Sequence, residues 1–245
     1  MGLFALAWGL LAASAVFVGA VIGWRVDLSQ RAVAGLMAVG AGVLLSLIAF
    51  DTLDDALAEG GLWPTAFAML GGAAATTAGL FYLDRHGARD RKRARTRIDV
   101  VRNAAGIVAL ATILDSIPES VIIGLNFANG EAVALATVIA VFLSNIPESI
   151  SATIRMKRAG RSIVYVGGVW AAVAIAGGLA TFIGYMLFRG TPPLWTGTAQ
   201  AVTAGAMLAL IVDTMIPEAV AETLEATGLY LVGGFVVGFL LTQGL

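Results

Sequence analysis

The residues with the most chemical potential are carboxylates that lie inside long apolar stretches. Asp115 and Glu119 share one stretch, Glu148 sits in the next, Asp213 and Glu218 lie in a later one, and Asp51 ends an early one. No Lys or Arg lies at the centre of any of these stretches to neutralise them. An ionised group inside a bilayer costs at least roughly 2.5–3.5 kcal/mol, so such acids mark functional positions by default. Acids without basic partners in sequence call for cations or protons.

Their surroundings repeat. Asp115-Ser116-Ile117-Pro118-Glu119-Ser120 is echoed 29 residues later by Ser144-Asn145-Ile146-Pro147-Glu148-Ser149, and Met215-Ile216-Pro217-Glu218 is a third, shorter copy. In a helix, positions four apart share a face, which pairs Asp115 with Glu119 and Ser144 with Glu148. Each proline withholds the amide that would cap the carbonyl four residues back, freeing the C=O of Leu114, Leu143 and Asp213. Carboxylate, hydroxyl and freed carbonyl then converge at one depth, as broken helices do in the ion sites of transporters. A lone proline in such a helix is ordinarily a kink, and a lone carboxylate is often protonated. Two successive oxygen-rich copies point instead to ion binding. Asp51 and Asp213 are each followed by Thr and an apolar residue, so a helix-end or entrance role stands beside a direct ligand role for both.

The elements that position these groups follow from composition. Of 245 residues, 59% are hydrophobic and 13% charged, against about 25% charged in soluble domains; mean hydropathy is +0.90. The apolar residues fall in blocks rather than alternating, which predicts helical spans and not barrel strands. Eight blocks, approximately 3–24, 32–50, 62–83, 104–127, 132–154, 163–188, 198–221 and 228–244, predict an all-α integral membrane protein with one transmembrane domain over 1–245. The first block has no basic flank before it and ends at Trp24-Arg25, which predicts a retained helix. Gly19-x-x-x-Gly23, Gly234-x-x-x-Gly238 and the doublets Gly71-Gly72, Gly167-Gly168 and Gly177-Gly178 predict close helix approach.

Fourteen of the fifteen basic residues fall between blocks one and two, three and four, or five and six; only Arg189 does not. By the positive-inside rule those loops are cytoplasmic and both termini extracytoplasmic. The run 84–102 is predicted as a basic cytoplasmic loop, a topology determinant rather than a nucleic-acid patch, and it holds the one histidine, His86. Without cysteine there is no disulfide, thiolate metal site or cysteine nucleophile, and one histidine cannot build a histidine cage. A Ser–His intramembrane protease is disfavoured because His86 lies in that loop. Thirteen Arg against two Lys, amid abundant Ala and Gly, hints at a GC-rich bacterial genome and so an inner-membrane location.

These motifs resemble the ZIP (Zrt-, Irt-like) divalent metal transporters. The resemblance rests on the paired Pro-Glu hexads, the eight-block pattern, Gly40-Ala41-Gly42-Val43-Leu44-Leu45 in block two and Ala204-Gly205-Ala206-Met207-Leu208 before Ile216-Pro217-Glu218 in block seven. It implies a 3+2+3 arrangement, with helices one to three and six to eight as inverted repeats around four and five. It also implies a divalent metal ion as cargo, no resident cofactor, and a homodimer among the expected assemblies. Carried over by position, the implied metal ligands are Asp115, Ser116 and Glu119 with Ser144, Asn145 and Glu148, while Asp51, Asp213 and Glu218 would form an acidic pathway.

The sequence departs from the family pattern in its ligands. Asp115 stands where His is usual and Ser116 where Asn is usual, Ser144 replaces His or Gln, Ser120 and Ser149 replace Gly, and no acid lies between Ile163 and Phe188. An oxygen-only set suits harder ions than an imidazole set does, so Mn and Fe stand beside Zn as expected cargo. A rival expectation is a relative with a degenerate site that acts as a non-transporting sensor or regulatory subunit.

Overall fold

The computed structural model describes residues 1–93, 116–128, 135–223 and 225–244, all as helices and their short connections. The helices are α1 (Gly2–Arg25), α2 (Gln30–Gly60), α3 (Leu62–Arg93), α4 (described over 116–128), α5 (Leu135–Arg158), α6 (Ile163–Phe188), α7 (Pro193–Thr223) and α8 (Thr227–Gly244). Among the described residues, six of these, α1, α2 and α5–α8, are long and apolar enough to cross a membrane.

Local chemistry sets several ends. The Ser29 hydroxyl accepts from the Ala32 amide (3.2 Å) and the Ser162 hydroxyl from the Tyr165 amide (3.2 Å), capping α2 and α6 at their first turns. Gly61, at φ 76°, stops α2 in a conformation that a side chain would resist. Two features extend past the apolar blocks. Helix α2 does not stop near residue 50 but continues to Gly60, because Asp54-Asp55-Ala56-Leu57-Ala58-Glu59 has no breaker and keeps Ala56 on the buried face. Helix α3 runs on through 84–93, so the first part of the basic segment is helix, as its Arg, Lys and Ala content favours; 94–102 lie outside the described residues.

Helix α2 is the most enclosed of the spans and α8 the least. Against α2 pack α5, α7 and α8; α3 packs on α7, and α1 on α5 and α6. A core of Met37, Leu44, Ile48, Ile122, Val141, Met207 and Ile211 fills the centre, and a second cluster around Trp170 and Met156 lies near the basic ends of α5 and α6. Large apolar side chains such as Leu3, Phe67, Val164, Leu229 and Leu240 face outward, as lipid-facing positions require.

Two helix pairs pack by one shared rule. A Cβ on Gly42 of α2 would strike the Leu231 carbonyl of α8, and one on Gly234 of α8 would strike the Val39 carbonyl of α2. In the other pair, a Cβ on Gly205 of α7 would strike the Met69 carbonyl of α3, and one on Gly72 of α3 the Val202 carbonyl of α7. In all four contacts the carbonyl struck is three residues before the facing glycine. The glycine pairs thus bring backbones together where any side chain would hold them apart. Helices α2 and α7 share a second feature: each widens to a π-helical turn at mid-length, Ile48–Thr52 and Ile211–Met215, and each turn carries one aspartate, Asp51 or Asp213.

Candidate functional site

The second Ile-Pro-Glu motif lies within α5, with Pro147 inside the helix, and the first begins α4 as described. Ser116, Glu119, Ser120, Ser144, Asn145 and Ser149 are all buried. Glu119 and Glu148 come together: both line one small cavity, about 10 Å³, with Leu44 of α2 and Met207, Leu210, Ile211, Thr214 and Met215 of α7. That volume holds about one water-sized body. The two carboxylates, from successive helices and 29 residues apart in sequence, therefore share one small space between α4, α5, α2 and α7.

The neutral groups expected beside them are oriented differently. Ser116, Ser144 and Asn145 do not line this cavity. The Ser144 hydroxyl donates to the Val141 carbonyl at 3.0 Å, and the Ser149 hydroxyl to the carbonyls of Asn145 (2.7 Å) and Ile146 (2.9 Å). These are the turn-back bonds that hydroxyls make within helices, here next to the position where Pro147 removes an amide. Asp115 lies outside the described residues. Among the described residues no group of three or more His, Cys, Asp or Glu side chains is placed to hold a metal ion.

The three further acids occupy separate places. Asp51, in the π turn of α2, accepts from Thr137 Oγ1 of α5 (3.1 Å) and Asn126 Nδ2 of α4 (3.4 Å), and the same amide donates to Thr137 (3.0 Å). Asn126 and Thr137 each lie seven residues, or two turns, from Glu119 and Ser144, on the same faces of α4 and α5. Asp213 accepts from Thr77 Oγ1 of α3 at 3.3 Å, on an exposed surface.

Glu218 overturns one expectation from sequence, that the intramembrane acids have no basic partner. Arg155 Nη1 meets Glu218 Oε2 at 2.5 Å, and the Ser151 hydroxyl donates to the other oxygen of the same carboxylate. Arg155 belongs to the last turn of α5, and its long side chain brings its charge to α7 from 63 residues away in sequence, a distance no local reading spans. Ser151, Arg155, Arg158, Glu218 and Glu222 line a cavity of about 340 Å³ at this end of the bundle.

Several polar groups went unremarked in the sequence. Asp55 of α2 accepts from Gln200 Nε2 of α7 at 3.1 Å, and Glu59 accepts from the Thr196 hydroxyl of α7. The available signal was the spacing of Asp51, Asp55 and Glu59, four residues apart twice over, which aligns three acids on one face once α2 is known to extend to Gly60.

No curated protein matches the chain. The family model described as ZIP zinc transporter matches residues 82–244, from the later part of α3 through α8, two-thirds of the chain. With the match running through both Pro-Glu helices and the three helices after them, the chain belongs to the ZIP zinc transporter family: it is a multi-pass membrane protein of the metal-transporter type.

Proposed function

We propose that this protein moves a divalent metal ion, of the Zn, Mn or Fe class, across the bacterial inner membrane by alternating access through an oxygen-only site between α4 and α5. The observation that carries the reading is the cavity shared by Glu119 and Glu148. Two carboxylates supply the charge that a divalent cation needs, and Asp115, Ser116, Ser144 and Asn145 are the further oxygen ligands of the proposed site. Closing it takes a turn of the Ser144 hydroxyl away from Val141, a rotation about one side-chain bond. Asp51 and Glu218 mark the two sides of the path, and Asp213 is its third acid.

Eight spans with both termini extracytoplasmic, in an inverted-repeat 3+2+3 arrangement, go with this reading. The reciprocal glycine contacts of α2 with α8 and α7 with α3, and the matching π turns of α2 and α7, support the repeat. The basic ends of α1, α5 and α3 support the orientation.

The test is flux in proteoliposomes across Zn²⁺, Mn²⁺ and Fe²⁺. Glu119→Gln and Glu148→Gln should each abolish transport of whichever ion the parent carries; parental flux in both variants would place the site elsewhere. The absence of every histidine ligand usual in the family favours a second reading, a relative with a degenerate site that acts as a non-transporting sensor or regulatory subunit. No saturable binding of Zn²⁺, Mn²⁺ or Cd²⁺ by the purified parent would select that reading.

A further inference from the structure

The acids at the Gly60 end of α2 belong to neither site described above. Asp55 and Glu59 are half-buried at the seam between α2 and α7, and neither is in an ion pair with a described basic residue. The seam is tight there: a Cβ on Gly197 of α7 would stand 2.8 Å from Glu59 Cβ and 3.1 Å from the Ala56 carbonyl. Each carboxylate holds one neutral donor from α7, Gln200 for Asp55 and Thr196 for Glu59. Two neutral donors leave two negative charges uncompensated.

The second observation is the other half of the Gln200 amide. Gln200 is 0% exposed, its Nε2 is committed to Asp55, and its Oε1 has no hydrogen-bond partner. A buried amide oxygen without a donor costs about 1–3 kcal/mol, and flipping the amide would set that oxygen against the Asp55 carboxylate. The oxygen is thus the buried, unpartnered half of an amide whose other half meets the Asp55 carboxylate. Asn126 repeats the arrangement next to Asp51: also 0% exposed, with Nδ2 committed and Oδ1 without a partner.

We propose that Asp55 and Glu59 of α2, with Gln200 Oε1 and the Thr196 hydroxyl of α7, form a second cation site, distinct from the Glu119–Glu148 cavity, that takes a hard divalent ion. Four protein oxygens with water completing the shell suit Mn²⁺, Ca²⁺ or Mg²⁺. The ion supplies the missing partner for the amide oxygen and the missing positive charge for the two acids. Asp51 is the next acid along the same face of α2, eight residues from Glu59 and so about 12 Å away, and its contacts are on the faces of α4 and α5 that carry Glu119 and Ser144. The site thus stands at the start of a line of oxygens that leads from the Gly60 end of the bundle toward the shared cavity. The proposal deepens the transport reading and rests on it only for what becomes of the ion after it binds.

The experiment is equilibrium binding of Mn²⁺ to the full-length protein in detergent, followed by loss of the free-ion EPR signal. Asp55→Asn/Glu59→Gln should remove one bound Mn²⁺ per chain, and Glu119→Gln/Glu148→Gln a different one, so that the fourfold variant binds none. Gln200→Met keeps the side-chain length without the amide oxygen and should weaken the second site at least about tenfold, with an unchanged helical circular-dichroism spectrum. Parental stoichiometry and affinity in both the Asp55/Glu59 variant and the Gln200 variant would overturn the proposal. Loss of Mn²⁺ in the Glu119/Glu148 variant alone would overturn it while leaving the α4–α5 site standing; loss in the Asp55/Glu59 variant alone would do the reverse.

Discussion

Arg155 Nη1 lies 2.5 Å from Glu218 Oε2 and ties the last turn of α5 to α7 beside the 340 Å³ cavity. The two side chains are 46% and 28% exposed, so water screens the pair and its contribution to stability is about 1 kcal/mol or less. Its position matters more than its strength. Glu148, Ser151 and Arg155 follow one another along one side of α5, and the guanidinium stands at the end of that line. On the proposed path, a fixed positive charge here would oppose a passing cation and occupy the carboxylate that would receive it.

Arg155→Gln should therefore leave thermal stability nearly unchanged and raise metal flux in proteoliposomes a few-fold, as about 1 kcal/mol off a barrier to passage implies. Unchanged flux would reduce the pair to a surface contact.

The reciprocal glycine contacts make a stability prediction with an internal control. Gly42→Ala and Gly205→Ala each drive a methyl into a backbone carbonyl, Leu231 or Met69, which cannot rotate aside. Each should cost about 1–3 kcal/mol and lower the unfolding temperature in detergent by similar amounts, since the two contacts are alike. Gly168→Ala in α6 meets nothing within 4 Å and should be neutral or slightly stabilising. A fall in unfolding temperature for Gly168→Ala equal to the other two would assign the losses to helix chemistry in general rather than to packing.

Trp170, wholly buried, donates its indole N–H to Thr153 Oγ1 at 2.9 Å and joins α6 to α5. Thr153→Val keeps the shape and removes the acceptor, so the indole is left unpaired at a cost of about 1–3 kcal/mol. Thermal unfolding should report the loss, and a shift in tryptophan emission should show the changed surroundings of the ring.

Much of this architecture was legible because membrane helices must satisfy their backbones internally and announce themselves as long apolar blocks. Glu119 and Glu148 were legible because the proline beside each repeats at the same offset, a signal that survives without any knowledge of the fold. What escaped depends on contacts between distant segments. Arg155 lies in a helix-end cluster of charges that reads as a topology signal, and nothing local reveals that it turns toward Glu218. Asp55 and Glu59 lie past the apolar block of α2, where hydropathy falls and the helix nevertheless continues. Gln200 and Thr196 are ordinary polar residues until α7 is laid against α2. The turn-back bond of Ser144 is likewise a choice of rotamer, which residue type and spacing leave open.

The π turns of α2 and α7 confine the effect of one residue to one place. A π turn is an α-helix with one residue too many, so losing a single residue from Ile48–Thr52 would return α2 to regular winding. Everything beyond it would keep nearly the same phase, because the wide turn already absorbs the extra residue within one full rotation. Asp55 and Glu59 would stay against Gln200 and Thr196, whereas Asp51, inside the turn, would lose the local widening that sets its position. The extra residue therefore serves the place of Asp51 alone: an in-frame loss of one codon there would spare the acids beyond it and displace the one acid that reaches α4 and α5.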